Sequence, residues 1–316
     1  MSVPVLTAAT SAALRRGATS AAPCVRGGMM NADAVVNGLL LGGLYALVAL
    51  GLSVVFGVLR LINLAHGEVL IGGAYLTYLI TEHFGIGAFT ALPIVVIVVA
   101  ALAYLLQRFL LTGLLVRGAE GALVATFGIS LLAQGVFSQS FTSDPRSLDS
   151  PLSTSGFTVG GIQIRTVYLV ALAAAALLCL AVHLLLTRTR AGTRVRAAAA
   201  DPSTAGLMGI DIRRVYAITF AAGAAITSLG GVLLGVTFSF TPTSGTQYLL
   251  IGIAVVVLGG VGNVLGTFAG ALLLGLVQSL AAAQFGGGYR DLSVYLLFFL
   301  VLAARPQGLF ARKVAT

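Results

Sequence analysis

The chain has 316 residues, of which 58% are hydrophobic and 9% charged, with a formal net charge of +9. Soluble domains carry about a quarter charged residues, so this composition excludes one and points to an integral membrane protein. Of the eighteen basic residues all but Lys313 are arginines scattered between apolar runs with no aromatic-interleaved basic face, which excludes a nucleic-acid binder, and Cys24 and Cys179 offer neither a disulfide framework nor a paired-cysteine metal site.

Residues 1–28 are rich in Ala, Ser, Thr and Gly and carry Arg15, Arg16 and Arg26, with no apolar core behind the twin arginine, which argues against a secretory signal. Met29 and Met30 stand directly before the first apolar run. Residues 1–28 therefore read as a disordered leader or a mis-assigned start, and 29–316 as a single transmembrane domain.

Apolar windows of about twenty residues, the length a helix needs to cross hydrocarbon, predict segments at 34–58, 61–80, 91–112, 122–141, 166–187, 215–239, 248–262, 264–283 and 291–304. Glycines 259, 260, 262 and 266 with Asn263 punctuate 248–283, which allows two spans or one span with a re-entrant turn, so eight to ten segments are expected. Short alternating segments of the β-barrel kind do not recur. The fold class is all-α: a polytopic transmembrane helix bundle.

Within the first segment, Gly38 and Gly42 stand four residues apart, as do Gly231 and Gly235, and Gly266 and Gly270, spacings that let membrane helices approach closely. Next comes NLAHGEVLIGGAY at Asn63 to Tyr75, where Asn63, His66 and Glu68 open a segment that is otherwise apolar. A carboxylate in hydrocarbon is costly without a cavity or a partner. Either these residues cap and pin a broken helix near the cytoplasmic interface, or Asn63, His66, Gly67 and Glu68 line or gate a translocation path. The Gly-rich interruption at Gly259 to Gly266, with Gly262 and Asn263, falls in the other half of the chain, a pattern found at the binding sites of repeat-built transporters.

The 142–165 stretch, with the turn dipeptides Asp144-Pro145 and Ser150-Pro151, reads as an external loop long enough to carry structure of its own and to receive a partner. The polar island 188–214 holds Arg188, Arg190, Arg194, Arg196, Arg213 and Arg214. Placing it inside by the positive-inside rule and alternating through nine spans puts twelve basic residues in the cytoplasm, including Arg60, Arg108, Arg117, Arg305, Arg312 and Lys313, against Arg146, Arg165 and Arg290 outside. The C-terminus is then cytoplasmic, in a plasma membrane. Between the arginines, RAAAADPSTAGLMGI can form a short surface helix that Pro202 starts or breaks.

Enzymatic and metal readings find no support. There is no GxxxxGK[ST] loop, His66, His83 and His183 are not spaced for a metal cluster, and GISL at Gly128 is no nucleophile elbow. A second reading keeps a stand-alone secondary transporter or channel, with Glu68 and His66 as proton-relay groups.

Four stretches in order, NGLLLGGLYALVALGLSVVFGVLRLINLAHGE at Asn37 to Glu68, RVRAAAADPSTAGLMGID at Arg194 to Asp211, LGGVGNVLGTFAGALLLG at Leu258 to Gly275 and RPQGLF at Arg305 to Phe310, resemble the LivH-like permease subunits of branched-chain amino-acid ABC importers. The resemblance implies alternating access and a cytoplasmic coupling helix at Ala197 to Ile210, with Arg196, Ala197, Ala198, Asp201, Ala205, Gly206, Gly209 and Ile210 meeting an ATPase. It implies further a second homologous permease, two cytoplasmic ATPases that hold ATP and Mg, and an external solute-binding protein, with no cofactor in this chain. Similar permeases take leucine, isoleucine and valine, and others of the type take urea or short amides.

Overall fold

The computed structural model describes residues 27–115, 118–159, 162–305 and 308–310. The leader up to residue 26, Arg117, Arg312 and Lys313 lie outside the described residues. Helix α1 runs Gly27–Leu59, α2 His66–Phe84 and α3 Ala88–Leu106, the last prolonged by a π turn at Gln107–Leu111 into α4, Thr112–Leu115. Then follow α5 Ala119–Phe141, the short α6 Pro151–Thr154, strands β1 Gly156–Val159 and β2 Ile162–Arg165, and α7 Thr166–Arg188. The second half has α8 Arg190–Ala200, α9 Pro202–Leu207, α10 Ile212–Thr237, α11 Ser244–Gly259, α12 Val264–Phe285 and α13 Arg290–Ala304.

Among the described residues seven helices are long and apolar enough to cross a membrane: Ala32–Leu59, Ala88–Leu115, Glu120–Phe141, Thr166–Arg188, Ile212–Thr237, Val264–Phe285 and Gly287–Ala304. The chain is a multi-pass helical membrane protein. The 61–80 and 248–262 segments correspond to α2 and α11, which fall outside those seven; α11 has only 16 residues. Among the described residues the 142–165 stretch adds a departure from an all-helical chain, an antiparallel hairpin with Gly156 opposite Arg165 and Val159 opposite Ile162.

Two helices form the centre. In α1 the apolar window is 89% buried and in α10 72%, whereas those of α3, α5 and α7 are each 17% buried. A helix apolar on every face belongs inside, and α1 is such a helix, with Leu44, Ala46, Leu47, Val48, Ala49 and Leu50 fully enclosed. Glycine allows the close approach: a Cβ on Gly51 would meet Thr227 Oγ1 at 2.1 Å and Gly223 O at 2.5 Å. Gly38 lies against Leu276 and Gly42 against Leu272, so α1 packs antiparallel on α12 as well, joined there by the Thr267 hydroxyl donating to Ser53 Oγ at 2.8 Å.

The two central helices are followed by the same device. Six non-helical residues, 60–65, lead from the end of α1 to α2, and six, 238–243, lead from the end of α10 to α11, so that Leu59 and Thr237, and likewise His66 and Ser244, stand 178 residues apart. Neither following helix starts at an end of the bundle. His66 lies against Val48 of α1 and Thr227 of α10, well inside both. Gly67 and Gly245, each the second residue of its helix and 178 residues apart, touch: a Cβ on Gly67 would fall 1.9 Å from the Gly245 carbonyl oxygen. From that contact α2 runs toward the C-terminal end of α10, where Ile71 and Tyr75 pack with Val232, Val236 and Phe240. The far end of α11 instead reaches the C-terminal end of α1, where Gly262 abuts Gly57. The halves are therefore inverted repeats whose interrupted helices meet N-terminus to N-terminus.

One expectation is corrected by this arrangement. The break at Asn63 to Glu68 follows the link 60–65, in which Leu61, Asn63 and Ala65 are buried while Arg60 and Ile62 stay exposed. Its counterpart is not Gly259 to Gly266 but Thr241 to Thr246. Gly262 is a left-handed turn residue, φ 74°, and Asn263 caps α12 by accepting from Gly266 N–H at 3.1 Å while donating to Phe310 O at 2.8 Å.

Candidate functional site

The junction of the two interrupted helices collects polar side chains in an otherwise apolar interior. Asn63 turns the chain into α2, its Oδ1 accepting from Ala65 N–H at 3.0 Å and its carbonyl from His66 N–H at 3.2 Å. His66 Nε2 lies 3.0 Å from Val48 O and 3.1 Å from Thr227 Oγ1. A carbonyl only accepts, so Nε2 carries the proton, and the Thr227 hydroxyl in turn donates to Gly223 O at 2.9 Å. His66 is thus a pin between α1 and α10.

Glu68 is turned elsewhere. Only 4% exposed, it lies beside Gly245 at the start of α11, and its Oε1 accepts from Gln134 Nε2 at 2.8 Å and from Ser130 Oγ at 3.4 Å. Gln134 also reaches Thr246 Oγ1 at 3.4 Å, which ties α5 to both interrupted helices. Glu68 Oε2 is buried without a partner. Because His66 and Glu68 have separate partners, they do not form a relay pair.

Glu68 and Asn63 are the polar points in the wall of a cavity of about 380 Å³ between α2, α3 and α5, whose other surfaces include Val69, Leu76, Val99, Leu102, Ile129 and Phe137. Toward the C-terminal end of α2 an aromatic group closes the packing: Tyr75 stacks on Phe141 at 4.3 Å between ring centroids and meets Phe240 edge-on at 4.9 Å and Phe137 at 5.2 Å. The 142–148 segment straps this group down. Arg146 and Phe240 exchange backbone hydrogen bonds of 3.0 and 2.8 Å, the Arg146 guanidinium donates to the Tyr78 hydroxyl, and Leu148 N–H donates to Gly235 O at 2.8 Å. Gly235 therefore makes room for the Leu148 side chain and the Phe240 ring, while its expected companion Gly231 makes room for Leu70 of α2. Gly266 and Gly270 both lie against Gly259, where α11 turns into α12.

The second candidate region is the polar island. It forms two short helices, α8 and α9, where one was expected, and the chain breaks at Asp201 because Pro202 cannot continue α8. Asp201 caps α9 by accepting from Ser203 N–H at 2.9 Å and Thr204 N–H at 3.2 Å. The Ser203 and Thr204 hydroxyls donate to the same carboxylate, each at 2.5 Å, and hold it below the usual carboxylate range. A left-handed Gly209, φ 82°, ends α9, with Ile210 N–H returning to Ala205 O at 3.1 Å.

Not every expected contact residue faces outward. Ala198 and Ala205 are buried and Ala197 and Ile210 half-buried, while Arg196 is exposed and donates to Leu186 O. Asp201, Gly206 and Gly209 are exposed. Between them Leu207 and Met208, which carry no polar signal in the sequence, are 90% and 79% exposed. Beneath, Val195 and Ala199 pack on a buried apolar cluster that includes Leu59, Leu61 and Phe220. The hairpin thus rests on α1 and α10.

Known proteins bear on these regions together. Residues 34–304 match the family model described as branched-chain amino acid transport system / permease component. The chain is 30% identical over 294 residues to the high-affinity branched-chain amino acid transport system permease protein BraD of Pseudomonas aeruginosa, covering 88% of this chain and 95% of the relative. It is 31% identical over 293 residues to the corresponding LivH of Escherichia coli, covering 87% and 94%. A weaker likeness, 30% over 192 residues and 58% of this chain, connects it to 60% of the ribose import permease protein RbsC of Escherichia coli. No solved structure matches the chain.

Proposed function

The chain belongs to the branched-chain amino acid permease family, transport proteins rather than enzymes, and from that premise we propose that it is the membrane subunit of an ABC importer. It carries branched-chain or related small amino acids into the cytoplasm by alternating access, in the plasma membrane. Separate cytoplasmic ATPases hold ATP and Mg and supply the work, a second homologous permease completes the pore, and an external binding protein delivers substrate. The C-terminus and the α8–α9 hairpin face the cytoplasm.

The observation that carries this reading is the hairpin tip. Leu207 and Met208 stand exposed on a rigidly capped corner, and adjacent apolar side chains of that kind mark contact sites. A groove of about 510 Å³ beside them, lined by Arg194, Met208, Gly209, Asp211 and Arg214, gives the contact a charged rim. Movement of an ATPase against this tip reaches Leu59, Leu61 and Phe220 through Val195 and Ala199. Those residues adjoin the link that positions Asn63, His66, Gly67 and Glu68, so a push at the surface becomes a shift at the junction. Two packings of similar energy are the requirement for such a switch. The aromatic group at Tyr75, Phe141 and Phe240 is the outer seal in the packing described.

The test is transport by the assembled complex, co-expressed with candidate ATPase, second-permease and binding-protein subunits from the same organism and reconstituted in proteoliposomes. Leucine uptake is expected to require ATP, and the double variant Leu207→Asp, Met208→Asp is expected to lose uptake by about tenfold or more, the scale of a lost interface anchor, while remaining inserted. Uptake that persists without ATP and collapses with the proton gradient would overturn the importer reading.

A further inference from the structure

We propose that the cavity at the helix junction is a binding site for an aliphatic amino acid, with the Glu68 carboxylate as the partner of its α-ammonium group. The inference deepens the importer reading and rests on it for the substrate class. Glu68 is almost wholly enclosed, and its partners, Gln134 and Ser130, are both neutral and both on Oε1. Oε2 is buried and accepts no hydrogen bond. A carboxylate so placed is costly to keep ionised unless a cation completes it, and without one it takes up a proton instead. The bland alternative, that the first turns of α2 and α11 satisfy it, would need their N–H groups on Oε2, and none donates there.

The cavity that Glu68 lines supplies the rest. At about 380 Å³ it lies within the range of small-ligand sites. Its walls at Val69, Leu76, Val99, Leu102 and Ile129 are aliphatic, suited to a branched hydrocarbon side chain and offering nothing to a second charge. Asn63 lines the same space, and with its Oδ1 taken by Ala65 N–H its amide nitrogen is left as a donor for the ligand carboxylate. The site therefore reads ammonium, side chain and carboxylate at three separate points. It selects zwitterions with uncharged side chains and rejects acids lacking an ammonium group.

The probes are tritiated L-leucine with two competitors of matched skeleton, 3-methylbutylamine, which has the ammonium without the carboxylate, and 4-methylpentanoate, which has the carboxylate without the ammonium. Binding is measured on the full chain, purified in nanodiscs with its co-expressed partner subunits and without the binding protein. The amine is expected to displace leucine and the acid is not. Glu68→Gln is expected to weaken leucine by about tenfold or more, as for a lost charged hydrogen bond, and Ala133→Phe, which fills the cavity and leaves Glu68 in place, to abolish binding. Equal displacement by the acid, unchanged affinity in Glu68→Gln or in Ala133→Phe, or no leucine binding at millimolar concentration would each overturn the site. If Glu68→Gln does not fold, the competition on the unaltered protein decides. Loss of ATP dependence with these binding ratios intact would overturn the importer reading alone, whereas ATP-driven uptake with equal competition would overturn the site alone.

Discussion

Gly67 and Gly209 are both glycines at helix ends, and they are indispensable for opposite reasons. Gly67 has ordinary helical backbone and no space, since a Cβ there would lie 1.9 Å from Gly245 O, inside any tolerable contact. Gly209 has open space, nothing within 4 Å of such a Cβ, and a backbone, φ 82°, that side chains rarely adopt. The junction is built by close approach and the hairpin by local conformation. The first is a tight internal pivot, the second an exposed handle whose shape is fixed by its own caps.

The comparison breaks first at the pivot. Gly67→Ala is expected to destabilise the bundle by about 1–3 kcal/mol or more through overpacking against backbone, read as a fall in the melting temperature of the solubilised protein together with lost uptake. Normal melting would show that α2 and α11 are not in contact. Gly209→Val is expected to cost about 1–3 kcal/mol of local strain at the corner, confined to the hairpin. Hydrogen exchange should rise across 202–210 while the bundle melts as before, and ATP-driven uptake should fall; faster exchange throughout the core would mean that the hairpin is structurally continuous with it. The smallest effect is at Asp201. Its carboxyl is held below the ordinary range in the folded hairpin, so the cap is fully present above that range and is lost as pH falls through the folded-state value. Protection of the Ser203 and Thr204 amides is therefore expected to be flat from neutral pH downward and to drop only in strong acid, with Asp201→Ala lacking protection at every pH.

Much of this was legible in the sequence, and unevenly so. The apolar windows found every long helix, because twenty residues of hydrocarbon length leave a strong signal. Asn63, His66 and Glu68 announced a break because ionisable groups stand out in an apolar chain. The matching break at Thr241 to Thr246 did not, since Thr, Pro, Ser and Gly carry no charge, whereas the glycines at 259–266 stand out in the sequence and make a turn and a cap. Ser130 and Gln134 were silent for the same reason: two neutral residues on a helix become partners of Glu68 only through the fold. Leu207 and Met208 were passed over because apolar residues are read by default as buried, and in a chain this apolar their exposure is the anomaly.

The shortness of α11 bears on how the chain is made. At 16 residues it spans about 24 Å at 1.5 Å per residue, short of the roughly 30 Å of hydrocarbon. A segment entering lipid alone would leave the polar start of that helix unsatisfied. The two interrupted helices consequently find their proper depth only when Gly67 and Gly245 have met, and those residues are separated by more than half the length of the polypeptide. The junction therefore closes only after α11 has been synthesised.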